Sequence, residues 1–359
     1  MSKEKAQGIS FFEKYLTFWV LLCMGAGILI GRFLPGIRSG LESMQIAGQN
    51  IPLAILMWIM IYPMMLKVDF KSVKNVGKNP QGVIISTLAS WGIKPFLMFG
   101  LATLFFQYIF SAFIPANIAT DFVTGAVLLG TAPCTAMVFV WSTLTKGNPA
   151  QTLVQVSVND LLILVLFIPI VQLLLGINNV VLPIGVLVMS IVLFVVIPLG
   201  AGVLSRVLIT KHKGEEYFNN KFVTKFDGVT TVGLLLTLII IFIFQGDIIV
   251  ENPLYVLLIA VPLVFQNMIS FALTYAVSKG AKLPRDIAAP ASLIAASDFF
   301  ELSVAVAIAL FGVDSPVVLV CTVGVLTEVP VMLLLVKFVN KTKHWFPPAT
   351  LDNKLPNQA

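Results

Sequence analysis

Five ionisable side chains lie inside long apolar runs: Lys94, Asp160, Asp298, Glu301 and Glu328. An ionisable group at the centre of a membrane helix costs about 2.5–3.5 kcal/mol on insertion scales. Each one therefore needs a partner or a function. The structural reading is pairing, for example Lys94 with a carboxylate of a neighbouring segment. The functional reading is a pathway for protons, ions or a polar cargo, which such residues mark by default. Asp121, Asp227 and Asp286 stand at the edges of apolar runs, where an interfacial or helix-capping role is enough.

The three cysteines, Cys23, Cys134 and Cys321, all sit within apolar runs. An odd count with none in a loop argues against a disulfide framework. A lone membrane cysteine is usually a small apolar filler, and Cys23 and Cys321 read that way. Cys134 differs in its setting, Gly130-Thr131-Ala132-Pro133-Cys134-Thr135-Ala136-Met137. Its neighbours are small or hydroxylated, and Pro133 removes a backbone donor beside it.

Other chemistries lack their residues. His212 and His344 fall in expected loops, and no H-E-x-x-H cluster holds a metal. No G-x-S-x-G context supports serine chemistry. Asp160 and Asp298 are the only pair to nominate for an intramembrane aspartyl enzyme, and the chain is read as a non-enzyme without cofactors. No G-x-x-x-x-G-K-[ST] phosphate loop occurs, so the chain does not hydrolyse ATP itself, and no ATPase subunit is expected.

The elements that must position these residues follow from composition. Hydrophobic residues make up 58% of the 359 and charged residues only 11%, against about 25% charged in soluble domains. Lipid must be the solvent over most of the chain. A crossing takes about 20 apolar residues. Ten segments of that kind are expected: Leu16–Leu34, Ala47–Leu66, Gly82–Ile109, Phe122–Thr143, Thr152–Leu175, Pro183–Ile209, Gly228–Gly246, Leu254–Val277, Ile287–Gly312 and Pro316–Phe338. The first follows Lys3, Lys5 and Lys14 but lacks an A-x-A-like cleavage site, so it reads as a retained span.

The net charge of +6 belongs to loops rather than to a nucleic-acid surface. With ten spans, all but three of the 23 Lys and Arg fall on the side of the termini. The exceptions are Arg32 and Arg38 on the opposite side and Lys94 within a span. The positive-inside rule then places both termini in the cytoplasm of a multi-pass inner-membrane protein.

Residues 16–175 and 183–338 are expected to form two five-span repeats of one transmembrane domain, followed by a cytoplasmic tail, 339–359. Five is odd, so the halves are inverted in the bilayer, a common plan of secondary transporters. The fourth and ninth spans each hold a proline and polar groups: Pro133 with Cys134, and Pro290 with Ser297, Asp298 and Glu301. Paired interruptions of this kind point to a transport site. Asp160 follows Cys134 by 26 residues, and Glu328 follows Glu301 by 27. Each half thus offers a polar centre on one span and a carboxylate on the next.

The run Leu129–Ser142 resembles the cysteine-bearing fourth helix of the arsenical-resistance-3 permeases. Gln155–Leu161, Ser297–Ala307 and Thr327–Met332 resemble their fifth, ninth and tenth helices. The resemblance covers almost the whole chain. Two departures stand out: some members carry Arg where Pro133 stands here, and the ninth-helix motif often has Asn where Asp298 stands. The resemblance implies export of trivalent arsenic as uncharged arsenous acid, with antimonite a further candidate cargo. It also implies an all-α fold of bile-acid-transporter type. Broken helices four and nine would cross in a core of spans three to five and eight to ten. Spans one, two, six and seven would form a panel.

Arsenic(III) is thiophilic, and a thiolate is the soft ligand a protein offers. One thiol, Cys134, binds reversibly. Burial disfavours a charged carboxylate, so Glu328, assisted by Glu301, is the expected proton carrier of an arsenite–proton antiport. Asn159, Asp160, Asp298, Trp141 and Lys94 are the expected supporting residues. Two alternatives remain open at this point. One is a sodium-coupled organic-anion symporter using Gln266, Asn267, Asn159 and Asp298. The other is a channel.

Overall fold

A computed structural model describes residues 16–46, 49–66, 80–135, 137–178, 180 and 182–348. Lys3, Lys5, Lys14, Lys67, Lys71, Lys74, Lys78 and Lys354, Ala47 at the start of the expected second span, Ala136 of the cysteine motif and residues 349–359 of the expected tail lie outside the described residues.

The described residues are helical almost throughout. Helix α1 (Leu16–Phe33) turns by 94° into α2 (Pro35–Ser43). A two-residue ladder joins Gln45–Ile46 to Gln49–Asn50, where the second span was expected to have begun, and α3 starts only at Ile51 (Ile51–Leu66). There follow α4 (Pro80–Ile109), α5 (Ala116–Thr131), α6 (Val138–Leu144) and α7 (Pro149–Ile177). Then come α8 (Ile184–Lys213), α9 (Asp227–Glu251), α10 (Pro253–Gly280), α11 (Arg285–Ala296), α12 (Phe300–Phe311) and α13 (Pro316–Lys341).

Among the described residues six helical stretches are long and apolar enough to cross a membrane: α4, α7, α8, α10, α13 and Glu215–Glu251, which includes α9. The expected fourth and ninth spans are each split, into α5 and α6 and into α11 and α12. Two sequence expectations are corrected nearby. The stretch before α9, expected as a loop, is helical from Glu215 to Phe226. His212 lies in the last turn of α8 rather than in a loop, and His344 lies in a short 3-10 turn.

Local chemistry explains the helix boundaries. Proline opens α2, α4, α7, α10 and α13, a position where its missing N–H costs nothing. Asn148 Oδ1 accepts from Gln151 N at 3.1 Å to cap α7, and Ser315 Oγ accepts from Val317 N at 3.2 Å to cap α13. Gly214 and Gly312 end α8 and α12 with φ of 85° and 82°, a region that side chains resist.

Two packing groups result. Helices α1, α3, α8 and α9 pack on one another, and α4–α7 pack with α10–α13. In the first group Gly27 and Gly31 bring α1 against the α9 backbone, in the small-xxx-small manner of membrane helices. A Cβ on Gly31 would stand 2.5 Å from Ile243 O. The exterior is apolar, with Leu88, Val165, Leu257 and Leu334 exposed, while polar side chains such as Ser90, Gln155, Gln266 and Thr322 are buried. That inversion of the soluble pattern is what a lipid solvent selects.

Candidate functional site

The second group is built around two helix breaks that meet. After α5 the chain runs extended through Ala132 and Pro133; after α11 it does so through Ser297. Pro133 and Asp298 face each other as an antiparallel bridge. Cys134 N donates to Ser297 O at 3.2 Å, and Phe299 N donates to Ala132 O at 2.9 Å. Backbone groups that lost their helical partners thus satisfy one another, as a buried break requires. Ser303 Oγ adds a bond to Leu128 O at 2.9 Å, fastening α12 to α5.

Pro133 lies at its break, but Pro290 does not lie at the other. It stays inside α11, and the break comes at Ser297–Phe299. Proline at 290 cannot donate to the carbonyl four residues earlier. That carbonyl, Asp286 O, accepts instead from Asn148 N at 2.8 Å. A loop amide from the other broken segment therefore repairs the defect. Asp286 is itself buried in the first turn of α11, where the positive helix end favours an acid. Asp121 is half-buried in α5, and the Asp227 side chain lies outside the described residues.

Lys94 reaches the crossing from α4. Pro95 follows it and supplies no N–H, and the preceding turn, Leu88–Ile93, widens to a π-helix with Lys94 N bonded to Ala89 O. The ammonium donates to Ser297 O at 2.9 Å, Asp298 Oδ1 at 3.0 Å and Ala132 O at 3.2 Å. Three donors meet three acceptors. Ala132 O and Ser297 O each already accept one backbone N–H, so Lys94 takes the second lone pair of each. Lys94 and Asp298 are 0% and 2% exposed, which makes this a buried ion pair of the kind raised as the structural reading. The pair also gives Asp298, the departure from the resembled motif, a definite role as counter-ion.

Cys134 is fully buried at the crossing. The Met137 backbone and the Ser297 side chain lie beside its thiol, with Glu301 and Glu328 in its neighbourhood. Glu328, from α13, accepts from Asp298 N at 3.1 Å and from Ser297 Oγ. Glu301 sits in the first turn of α12, and among the described residues its Oε2 has no hydrogen-bond partner. Thr135 Oγ1 is likewise buried and unpartnered. Such atoms in a native interior call for an explanation, a bound polar molecule among them.

The structure thus gathers Cys134, Lys94, Asp298, Glu301 and Glu328 at one place. Three other expected residues make no hydrogen bond to the crossing among the described residues. Asn159 Oδ1 accepts from Trp91 Nε1 at 3.2 Å, while the buried Asp160 Oδ1 and Trp141 Nε1 have no hydrogen-bond partner among the described residues. The residues nominated for a sodium site split. The Asn267 side-chain amide faces three acceptors, Gln266 Oε1 at 2.6 Å, Ala296 O at 3.0 Å and Asp298 Oδ2 at 3.2 Å, which assigns its nitrogen to that side, while Asn159 stays with Trp91. Trp91, the hydrogen-bond partner of Asn159, was not singled out by sequence reasoning, because an aromatic in an apolar run carries no signal of its own.

Comparison with known proteins gives consistent relatives. Residues 54–252 match the Sodium Bile acid symporter family. The chain is 56% identical over 349 residues to the arsenical-resistance protein Acr3 of Alkaliphilus metalliredigens, covering 97% of this chain and 98% of that one. It is 43% identical over 353 residues to an uncharacterized transporter of Synechocystis, covering 96% and 92%. To the Acr3 of Corynebacterium glutamicum it is 32% identical over 369 residues, covering 100% and 96%.

Proposed function

Because the chain belongs to the Acr3 arsenical-resistance proteins within the Sodium Bile acid symporter family, we propose that it exports arsenite, as arsenous acid, by secondary transport. The observation that carries the reading is the buried Cys134 thiol on the crossing, with the Glu301 and Glu328 carboxyls nearby.

Cys134 is the soft ligand. As the sulfur–arsenic bond forms, one arsenic hydroxyl leaves as water with the thiol proton; hydrolysis on the far side reverses the step. A single thiol keeps the bond escapable, as transport demands. The unpartnered Glu301 Oε2 is placed to receive an arsenic hydroxyl. Glu328, bonded to both Ser297 and Asp298 of the opposite break, senses the state of the crossing and carries the coupling proton. It releases the proton inward as cargo binds and regains one outside as cargo leaves. The inverted five-span repeat, with both termini cytoplasmic and the α1, α3, α8, α9 group as the panel against which the crossing rocks, completes the scheme. The membrane is the plasma membrane.

The sodium-coupled reading has one observation in its favour, the meeting of Gln266, Asn267 and Asp298. It is weakened by Lys94, which already neutralises that carboxylate. Everted membrane vesicles test the proposal. Wild-type protein is expected to accumulate arsenite under a proton gradient, Cys134→Ala to lose at least ten-fold in rate, and Glu328→Gln to lose gradient-driven accumulation. Normal accumulation by Cys134→Ala would sink the ligand assignment, and gradient-driven uptake by Glu328→Gln the proton assignment.

A further inference from the structure

The crossing demands a positive charge. The carbonyl ends of α5 and α11 converge there with the Asp298 carboxylate, and helix C-termini carry partial negative charge. Two backbone carbonyl oxygens, of Ala132 and Ser297, and one side-chain oxygen of Asp298 lie 2.9–3.2 Å from the ammonium nitrogen, and no part of the Lys94 side chain is exposed. An oxygen cage of mixed carbonyl and carboxylate character suits a hard monovalent cation, and carbonyl rings bind such ions by replacing their hydration shells. Here the cage is filled by a cation on a covalent stem.

We propose that the crossing is a monovalent-cation site with a built-in occupant. The Lys94 ammonium holds the position that a free alkali or ammonium ion would take, so the protein neither binds nor needs sodium there. Shortening the side chain opens the site to such an ion. The tethered nitrogen cannot cross the membrane as a free ion does, so on the transport reading above no alkali ion is carried at this position. The inference rests on that reading for this consequence alone; the cation site itself does not depend on it.

The test uses purified full-length protein in a choline chloride background at constant ionic strength. Melting temperature is titrated with sodium, potassium and ammonium chloride. Wild type is expected to show no cation-specific shift. Lys94→Ala is expected to melt lower in choline and to regain several degrees, saturably, with at least one of the three ions. Lys94→Ala/Asp298→Asn, which removes both charges, is expected to lose that response. A Lys94→Ala protein as indifferent to the ions as wild type would overturn the proposal. So would a saturable sodium response of the wild type, a measurement that keeps the test decisive if Lys94→Ala cannot be recovered. Arsenite enters none of these arms, so failure here and failure of the arsenite reading are separate outcomes.

Discussion

At the scale of single residues, membrane burial makes charges legible and aromatics silent. Cys134, Glu301 and Glu328 could be singled out from sequence because a thiol beside a helix-breaking proline and acids in apolar runs each need a reason. Trp91 could not, since an aromatic in an apolar run needs none. Yet among the described residues it supplies the one hydrogen bond to the Asn159 side chain, whose Nδ2 has no partner there. Trp91→Phe keeps the ring and removes the donor. We expect a loss of about 1–3 kcal/mol, the cost of a buried acceptor left without a partner, and a smaller loss when Asn159→Leu is added. A double-mutant cycle on unfolding midpoints reads both. The Lys94–Asp298 pair was legible only as two isolated charges, because 204 residues separate the partners and nothing local announces the match.

At the scale of elements, apolar runs and proline positions anticipated most helices, but not every discontinuity. Pro290 was read as the break because proline disrupts helices in general; here Asn148 N replaces the missing donor, and the true break falls at Ser297–Phe299. A partner from another loop cannot be seen in a local pattern. Close helix approach is similarly invisible except through small residues. Along α1, a Cβ at Gly31 would come within 2.5 Å of the Ile243 carbonyl oxygen, whereas one at Gly25 would meet nothing within 4 Å. Gly31→Ala is expected to destabilise by about 1–3 kcal/mol, since the backbone it meets cannot step aside. Gly25→Ala is expected to be neutral or to stabilise by up to about 1 kcal/mol through helix propensity. Paired thermal melts of the two variants in the same detergent separate the effects.

At the scale of the whole molecule, the two packing groups are tied at one end. Arg38 of α2 binds Glu42 at 3.0 Å, Asp314 in the turn between α12 and α13 at 2.8 Å, and Asp247 of α9. Gln245 of α9 also donates to Val313 O of that turn. Exposed ion pairs contribute little one by one, but these bridge the groups whose relative motion the transport scheme requires. Arg38→Ala is therefore expected to shift the population away from the tied arrangement with little change in melting temperature. In a Cys23→Ala/Cys321→Ala background, Cys134 should then react faster with a membrane-impermeant thiol reagent added from outside; an unchanged rate would mean that these ties do not govern access.

The thiol-bearing residue gives its own amide to the opposite break, and the opposite break returns one through Phe299. Anything attached to that sulfur is consequently suspended from both interrupted helices at once. Its load is shared across the joint rather than handed from one rod to the next, so cargo and joint must shift together as one moving part.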